Sequence, residues 1–222
     1  LGHQLDSLDA AGIEKTVVVC GFGAVHLCRH TASHPAAARI KTLYNPFHNI
    51  ADNLISLWAA RSEMYGAFIL LNGDNVFHPD VLKLLDGIDD ACCLLTKYKS
   101  SYAADDMKLC QDGDRVLRIG KHLNPADTDA ESIGIIHFSA AAAQRLQALL
   151  EETVRHEGAL KRYFVSGIQA LIDSDFPVTG RDIGDLFWTD VDTPEDLRRV
   201  RRSSHLFLPP LPPYLQRAGG VL

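Results

Sequence analysis

The sequence lacks what would tie it to a membrane, a thiolate metal site or a nucleic acid. No apolar run reaches the ~20 residues that span a bilayer. Residues 1–20 carry neither the basic start nor the small-residue cleavage site of a secretory signal. Cysteines at positions 20, 28, 92, 93 and 110 form no C-x-x-C pair. An odd count without metal spacing reads as reduced thiols in apolar strands and predicts a cytoplasmic protein. Basic charge is also scarce. With 22 Lys and Arg against 28 Asp and Glu, the net charge of −6 argues against a nucleic-acid partner held mainly by phosphate contacts. The one basic cluster, Arg198, Arg199, Arg201 and Arg202, falls at a helix C-terminus, where the negative dipole end favours cations. There are no internal repeats. What remains is 222 residues of ordinary globular composition, 46% hydrophobic, enough for one substantial core.

Leu1, Leu5 and Leu8 recur at helical spacing, and Gly12 ends that helix. From there to residue 96, strands alternate with helices: strands over 16–20, 39–43, 67–71 and 91–96, helices over 24–33, 49–64 and 79–85. That order predicts right-handed crossovers and a mixed, mostly parallel sheet of Rossmann-like α/β type, flanked by helices. The pattern then changes. Strands are expected over 107–110, 115–119 and 133–138 without helices between them, and Asp112-Gly113 marks a hairpin turn. Helices follow over 140–156 and 160–173, then a strand over 187–191. A last helix, over 193–202, has Thr193 as N-cap, Pro194 at the first position and Asp196 at the third. The division is a domain over 1–202 and a proline-rich tail over 203–222, extended between Leu208 and Tyr214.

Gly21-Phe22-Gly23 fails as a dinucleotide fingerprint. His26 stands at the third glycine position and no acidic residue follows near Leu43, so a strand-to-helix turn is the reading. The chemistry lies elsewhere. Leu70-Leu71-Asn72-Gly73-Asp74-Asn75 places a carboxylate at the carboxyl end of a strand, the sheet edge where ligands bind. Alone, Asp74 could equally shape a turn. A second acidic strand end, Asp190-Val191-Asp192, favours a shared divalent ion. Asp190 and Asp192 fall on one face of the strand by alternation, with Asp192 the second ligand and Asp190 in support. Helix capping by Asp192 or Thr193 is the alternative. Magnesium suits the pair, since it keeps most of its waters and takes one or two carboxylates plus substrate phosphates.

The pieces Gln4-Leu5-Asp6-Ser7-Leu8, Ala11-Gly12-Ile13, Asn72-Gly73-Asp74-Asn75, Glu131-Ser132-Ile133-Gly134 and Asp190-Val191-Asp192-Thr193-Pro194-Glu195-Asp196 resemble nucleotidyltransferases that activate phosphorylated small molecules. Tyr44-Asn45-Pro46-Phe47 and Asp52-Asn53-Leu54, with Ser56-Leu57-Trp58, are similar to the phosphocholine cytidylyltransferase-like branch. The resemblance implies an enzyme that uses Mg2+ to join a nucleoside triphosphate, CTP in that branch, to phosphocholine or a similar alcohol phosphate or phosphonate, with release of pyrophosphate. It makes Asp74 and Asp192 the metal-binding aspartates. Lys121 is the candidate cation for the incoming phosphate. Glu131 faces the acceptor in sugar relatives and here could face a quaternary ammonium, with Tyr102, Tyr163 and Trp188 as possible aromatic walls. Asn45 and Asn53 stand where the family holds base and ribose. Alternatives are a sugar-1-phosphate nucleotidyltransferase, a metal-dependent glycosyltransferase, and a truncated, non-catalytic nucleotide-binding module.

One departure stands against these matches. The family opens on a strand and a glycine-rich loop, L-A-A-G-x-G-x-R-L followed by P-K, whose amides and basic residues hold the triphosphate. Leu1-Gly2-His3-Gln4 matches the helix that follows that loop. The expectation is an N-terminally incomplete domain or a degenerate paralogue, with two strands left facing a gap and no turnover from residues 1–222 alone. Oligomeric state is left open.

Overall fold

The apolar runs and helical faces assemble, in a computed structural model that describes residues 1–88 and 91–208, into a mixed α/β fold. Most of the segment expected to be extended, 209–214, lies outside the described residues. The elements are α1 (Gly2–Ala10), β1 (Thr16–Cys20), α2 (Ala24–Ala32), β2 (Ile40–Tyr44), α3 (Asn53–Ala59), β3 (Phe68–Leu71), β4 (Val76–Phe77) and β5 (Cys92–Lys97). They continue with β6 (Lys108–Asp112), β7 (Arg115–Gly120), β8 (Ala130–Phe138), α4 (Ala140–Thr153), α5 (Val165–Asp173), β9 (Val178–Asp182), β10 (Trp188–Thr189) and α6 (Pro194–Arg202).

Several details differ from the sequence reading: the helix expected over 160–173 is Val165–Asp173, the strand expected over 187–191 is Trp188–Thr189, and β4 was not expected. The helix expected over 49–64 is shorter, Asn53–Ala59, followed by a 3-10 turn at Arg61–Glu63. Pro79–Leu85 is a 3-10 helix, begun by His78, whose side chain accepts from the Asp80 N–H. β9 was not expected, because Val178-Thr-Gly-Arg-Asp182 breaks its β-branched start with a glycine and two charges. A Cβ at Gly180 would crowd the end of the Gln111 side chain of β6, which would have to move aside.

A six-stranded sheet runs in the order β3-β8-β5-β9-β7-β6. β3, β5, β9 and β6 share one direction, and β8 and β7 oppose them. Because β8 is wedged antiparallel between β3 and β5, the parallel ladder of this sheet is β5–β9. β6 also pairs with the start of β8, so that end of the sheet curls back on itself. Alternation along the strands feeds two cores. Leu94, Ile136 and Phe138 pack with α3, α4 and α5 through Leu54, Leu146, Leu150 and Ile168. Leu95, Ile133 and Ile135 face the other way, onto Leu8 of α1 and Phe77, Val81 and Leu82. Among the described residues, no helix is long and apolar enough to cross a membrane.

β1 and β2 form a separate two-stranded parallel sheet. Their first residues and those of β3 start from one end of the fold, since Glu63, just before β3, receives Lys15 at 2.6 Å and Lys41 at 2.8 Å. β1 pairs only with β2, and β3 only with β8, so among the described residues each has one unpaired edge.

Candidate nucleotide and metal site

At the carboxyl end of β3 the chain turns through Asn72-Gly73-Asp74-Asn75, and this loop is fastened from two directions. The Asn72 N–H donates to Gly134 O at 2.9 Å, and Asn75 Nδ2 donates to Ile133 O at 2.6 Å, both on β8. From α1, Gln4 Nε2 donates to Asn72 O at 2.7 Å and to Asn75 O at 3.0 Å. Gly134, at φ 71°, lets the loop approach, because a Cβ there would lie 2.5 Å from Asn72 Nδ2. Buried backbone groups are thus satisfied while Asp74 stays exposed between them.

The second acidic segment is brought alongside by a short antiparallel ladder. β4 pairs with β10, Val76 opposite Thr189, and the Val191 N–H extends the pairing by donating to Asp74 O at 3.1 Å. Asp190 and Asp192 therefore flank the residue that faces Asp74. The electrostatics agree. Desolvation pushes the Asp74 carboxyl above its ordinary range, and the charges of Asp192 and Asp190 push it further, opposed by its own backbone N–H and by Lys121. Asp190 is raised by desolvation first, then by Asp192 and Asp196, with Lys99 opposing. Crowded carboxylates that raise one another are neutralised by a bound cation. Among the described residues, no group of three or more His, Cys, Asp or Glu could hold a metal on its own. Asp74 and Asp192 are a pair of hard oxygen donors, which fits magnesium completed by water and phosphate oxygens.

Helix capping is not what occupies Asp192. Thr193 is the N-cap of α6: its hydroxyl accepts from the Asp196 N–H at 3.2 Å, and Asp196 Oδ2 accepts from the Thr193 N–H at 2.9 Å. Lys121 is exposed after β7, its ammonium 5.1 Å from the centre of the Tyr163 ring and near enough to lower the Asp74 pKa.

Glu131 lies deeper, on β8 between Lys97 of β5 and Lys108 of β6. Its side chain is 3% exposed, and Oε2 receives Lys99 Nζ at 2.7 Å. Oε1 is buried without a hydrogen-bond partner. Desolvation pushes this carboxyl up to about 6, with Lys99 opposing. Asp106 receives the same ammonium at 2.9 Å and the Ala103 N–H at 2.9 Å.

The other candidate residues have partners within the fold. Asn45 is 1% exposed and engaged at both ends: Nδ2 donates to Ser56 Oγ at 3.0 Å and Oδ1 accepts the Phe47 N–H at 2.9 Å. That is a turn-forming role. Asn53 Oδ1 accepts the Phe164 N–H at 2.7 Å, tying α3 to the segment before α5. Trp188 packs on the core formed by Phe77, Val81 and Ile183. Tyr102 gives its hydroxyl to Asp129 O at 2.7 Å. Sequence reasoning missed Lys99, Asp106 and the loop-holding role of Gln4. Gln4 stood in a family motif without a task, and Lys99 and Asp106 meet only because a chain of no regular pattern folds back between β5 and β6.

No family profile matches the chain. A curated relative, the CMP-5'-(3-aminopropyl)phosphonate synthase of Streptomyces rubellomurinus, is 26% identical over 208 residues, 90% of this chain and 33% of the relative. The chain thus spans about a third of that relative's length. Among solved structures, the inositol-1-phosphate CTP transferase from T. maritima superposes with a TM-score of 0.76 at 20% identity, over 92% of this chain and 81% of that one. The CTP:phosphocholine cytidylyltransferase from Streptococcus pneumoniae gives a TM-score of 0.70 at 13% identity, over 91% and 83%. The superpositions show that the chain shares its fold with these two transferases.

Proposed function

We propose that the chain is a nucleotidyltransferase of cytidylyltransferase type, joining the nucleotidyl group of CTP to an alcohol phosphate or phosphonate that carries a cationic group, with release of pyrophosphate. The observation that carries this reading is the β4–β10 ladder with the Val191-to-Asp74 hydrogen bond, which gathers Asp74, Asp190 and Asp192 at the end of β3. Its support is the agreement between that cluster and the names of the relatives, all of which transfer a nucleotide or make a CMP conjugate.

Asp74 and Asp192 would hold the magnesium ion, which when bound supplies Lewis-acid neutralisation of phosphate charge. The acceptor's phosphate or phosphonate oxygen is already anionic, so the protein need not remove a proton from it. Lys121 offsets its charge as it approaches the α-phosphorus in line. Glu131 holds the acceptor's cationic end. Positioning and charge do the work, with little acid–base chemistry. A nucleotide-binding module without turnover is a second reading, which the same carboxylate cluster would serve. Pyrophosphate release from CTP, scored with and without magnesium and acceptor, separates them. Release that needs both supports the enzyme, and nucleotide binding without release supports the module.

A further inference from the structure

Lys99 sits in a pocket built for an ammonium. Its Nζ lies 2.7 Å from Glu131 Oε2 and 2.9 Å from Asp106 Oδ2, while its side chain is 35% exposed above partners that are 3% and 15% exposed. Two carboxylates share this one ammonium directly, while the buried Lys108 spends its Nζ on Ala104 O, Asp106 O and Lys121 O. Lys97 is turned away, to Gly184 O. Glu131 Oε1 is left buried with no donor at all, a condition that costs free energy unless a ligand supplies one.

We propose that Lys99 is a placeholder for the acceptor's own ammonium: an ω-aminoalkyl phosphate or phosphonate swings Lys99 aside and puts a primary ammonium between Glu131 and Asp106. This rests on the nucleotidyltransferase reading for the identity of the acceptor, but the pocket stands on its own geometry. The exchange is like for like in charge, and a primary ammonium brings three N–H donors, enough for Glu131 Oε2, Asp106 and the orphaned Oε1. A trimethylammonium brings none. It would leave both carboxylates unsatisfied and would need aromatic faces instead. Among the described residues the cation-over-ring contacts belong to Lys15, Arg61 and Lys121, and none to Lys99. The site therefore selects N–H-bearing amines over quaternary ones.

Two experiments on the full natural chain test this separately from the catalytic reading. In the first, Lys99→Ala is melted in methylammonium chloride and in tetramethylammonium chloride at equal ionic strength. The substitution should lower Tm, and methylammonium alone should restore it. Equal rescue by both salts, or rescue by neither, overturns the placeholder. In the second, the unaltered protein is given CTP with phosphoethanolamine or phosphocholine. Phosphoethanolamine should release pyrophosphate ~10–100-fold faster at limiting acceptor, the range of hydrogen bonds to charged groups. Equal or faster release with phosphocholine overturns the proposal even if Lys99→Ala folds poorly. Selective rescue by methylammonium, with no release from any acceptor, upholds the ammonium pocket and overturns the nucleotidyltransferase reading.

Discussion

Two sets of carboxylates both feel Lys99, and the fold treats them differently. Asp74, Asp190 and Asp192 are exposed on loops, brought together by backbone pairing, and none forms a salt bridge among the described residues; the nearest compensation is the long-range pull of Lys121 and Lys99. Glu131 and Asp106 are sheltered between β5, β8 and β6 and already share an ammonium. Open, mutually repelling carboxylates suit a small hydrated ion that arrives with the nucleotide. Sheltered carboxylates with one open valence suit an organic cation that leaves its water behind. Under the proposed function that difference would divide the labour, one end taking phosphate charge and the other the acceptor's cation.

The comparison breaks most visibly if the exposed set is removed. Asp74→Ala or Asp192→Ala should lower pyrophosphate release at least ~100-fold, since metal neutralisation of phosphate is worth several kcal/mol. Loss from the Glu131 side alone, with full activity in both Asp variants, would reverse the assignment. The sheltered set should declare itself in stability. Glu131 titrates in the fold at about 6, above its value of 4.5 in an unfolded chain, so the folded state holds its proton more tightly. Its contribution is fully present below pH ~4.5 and is lost as pH rises through ~6, a drop of about 2 kcal/mol. Glu131→Gln should flatten that part of the urea-melt profile, and an unchanged profile would move the titration to another group. Lys121→Ala should raise the acceptor KM roughly 10-fold and leave Tm unaltered, as expected of an exposed cation that meets only the ligand. The smallest effect sharpens the boundary between site and scaffold. Thr193→Ala removes the α6 cap and should cost about 1 kcal/mol while leaving magnesium dependence intact.

Much of this was legible in the sequence. The strands β1, β3 and β5 announce themselves as short apolar runs, and α6 by Thr193, Pro194 and Asp196. The acidic strand ends marked Asp74 and Asp192, and the fold brings their two loops together. What the sequence hid was long-range. β9 is short and interrupted by Gly180, and its strand character comes from pairing with β5. Asn45 looked like a ligand-facing polar residue because nothing local reveals that Ser56, eleven positions on, takes its amide. Lys99 and Asp106 lie in a stretch without periodicity, and only the closure of β6 onto β8 brings them to Glu131.

The edge of the fold repeats the lesson. Thr16–Cys20 and Phe68–Leu71 are as apolar as Cys92–Lys97, yet Val17, Val18 and Val19 and all of β3 are only half-buried, whereas Cys92 through Thr96 are fully buried. Burial follows from having strand neighbours on both sides, which a one-dimensional pattern does not record.

The central claim is that Asp74 and Asp192 together make nucleotide binding depend on magnesium. Calorimetric titration of CTP into the natural chain, with and without magnesium, tests it on the unaltered protein and on Asp74→Asn and Asp192→Asn. The account predicts magnesium-enhanced binding in the unaltered protein, and weak, magnesium-independent binding in both variants with their melts unchanged. The same magnesium enhancement in all three proteins would contradict it.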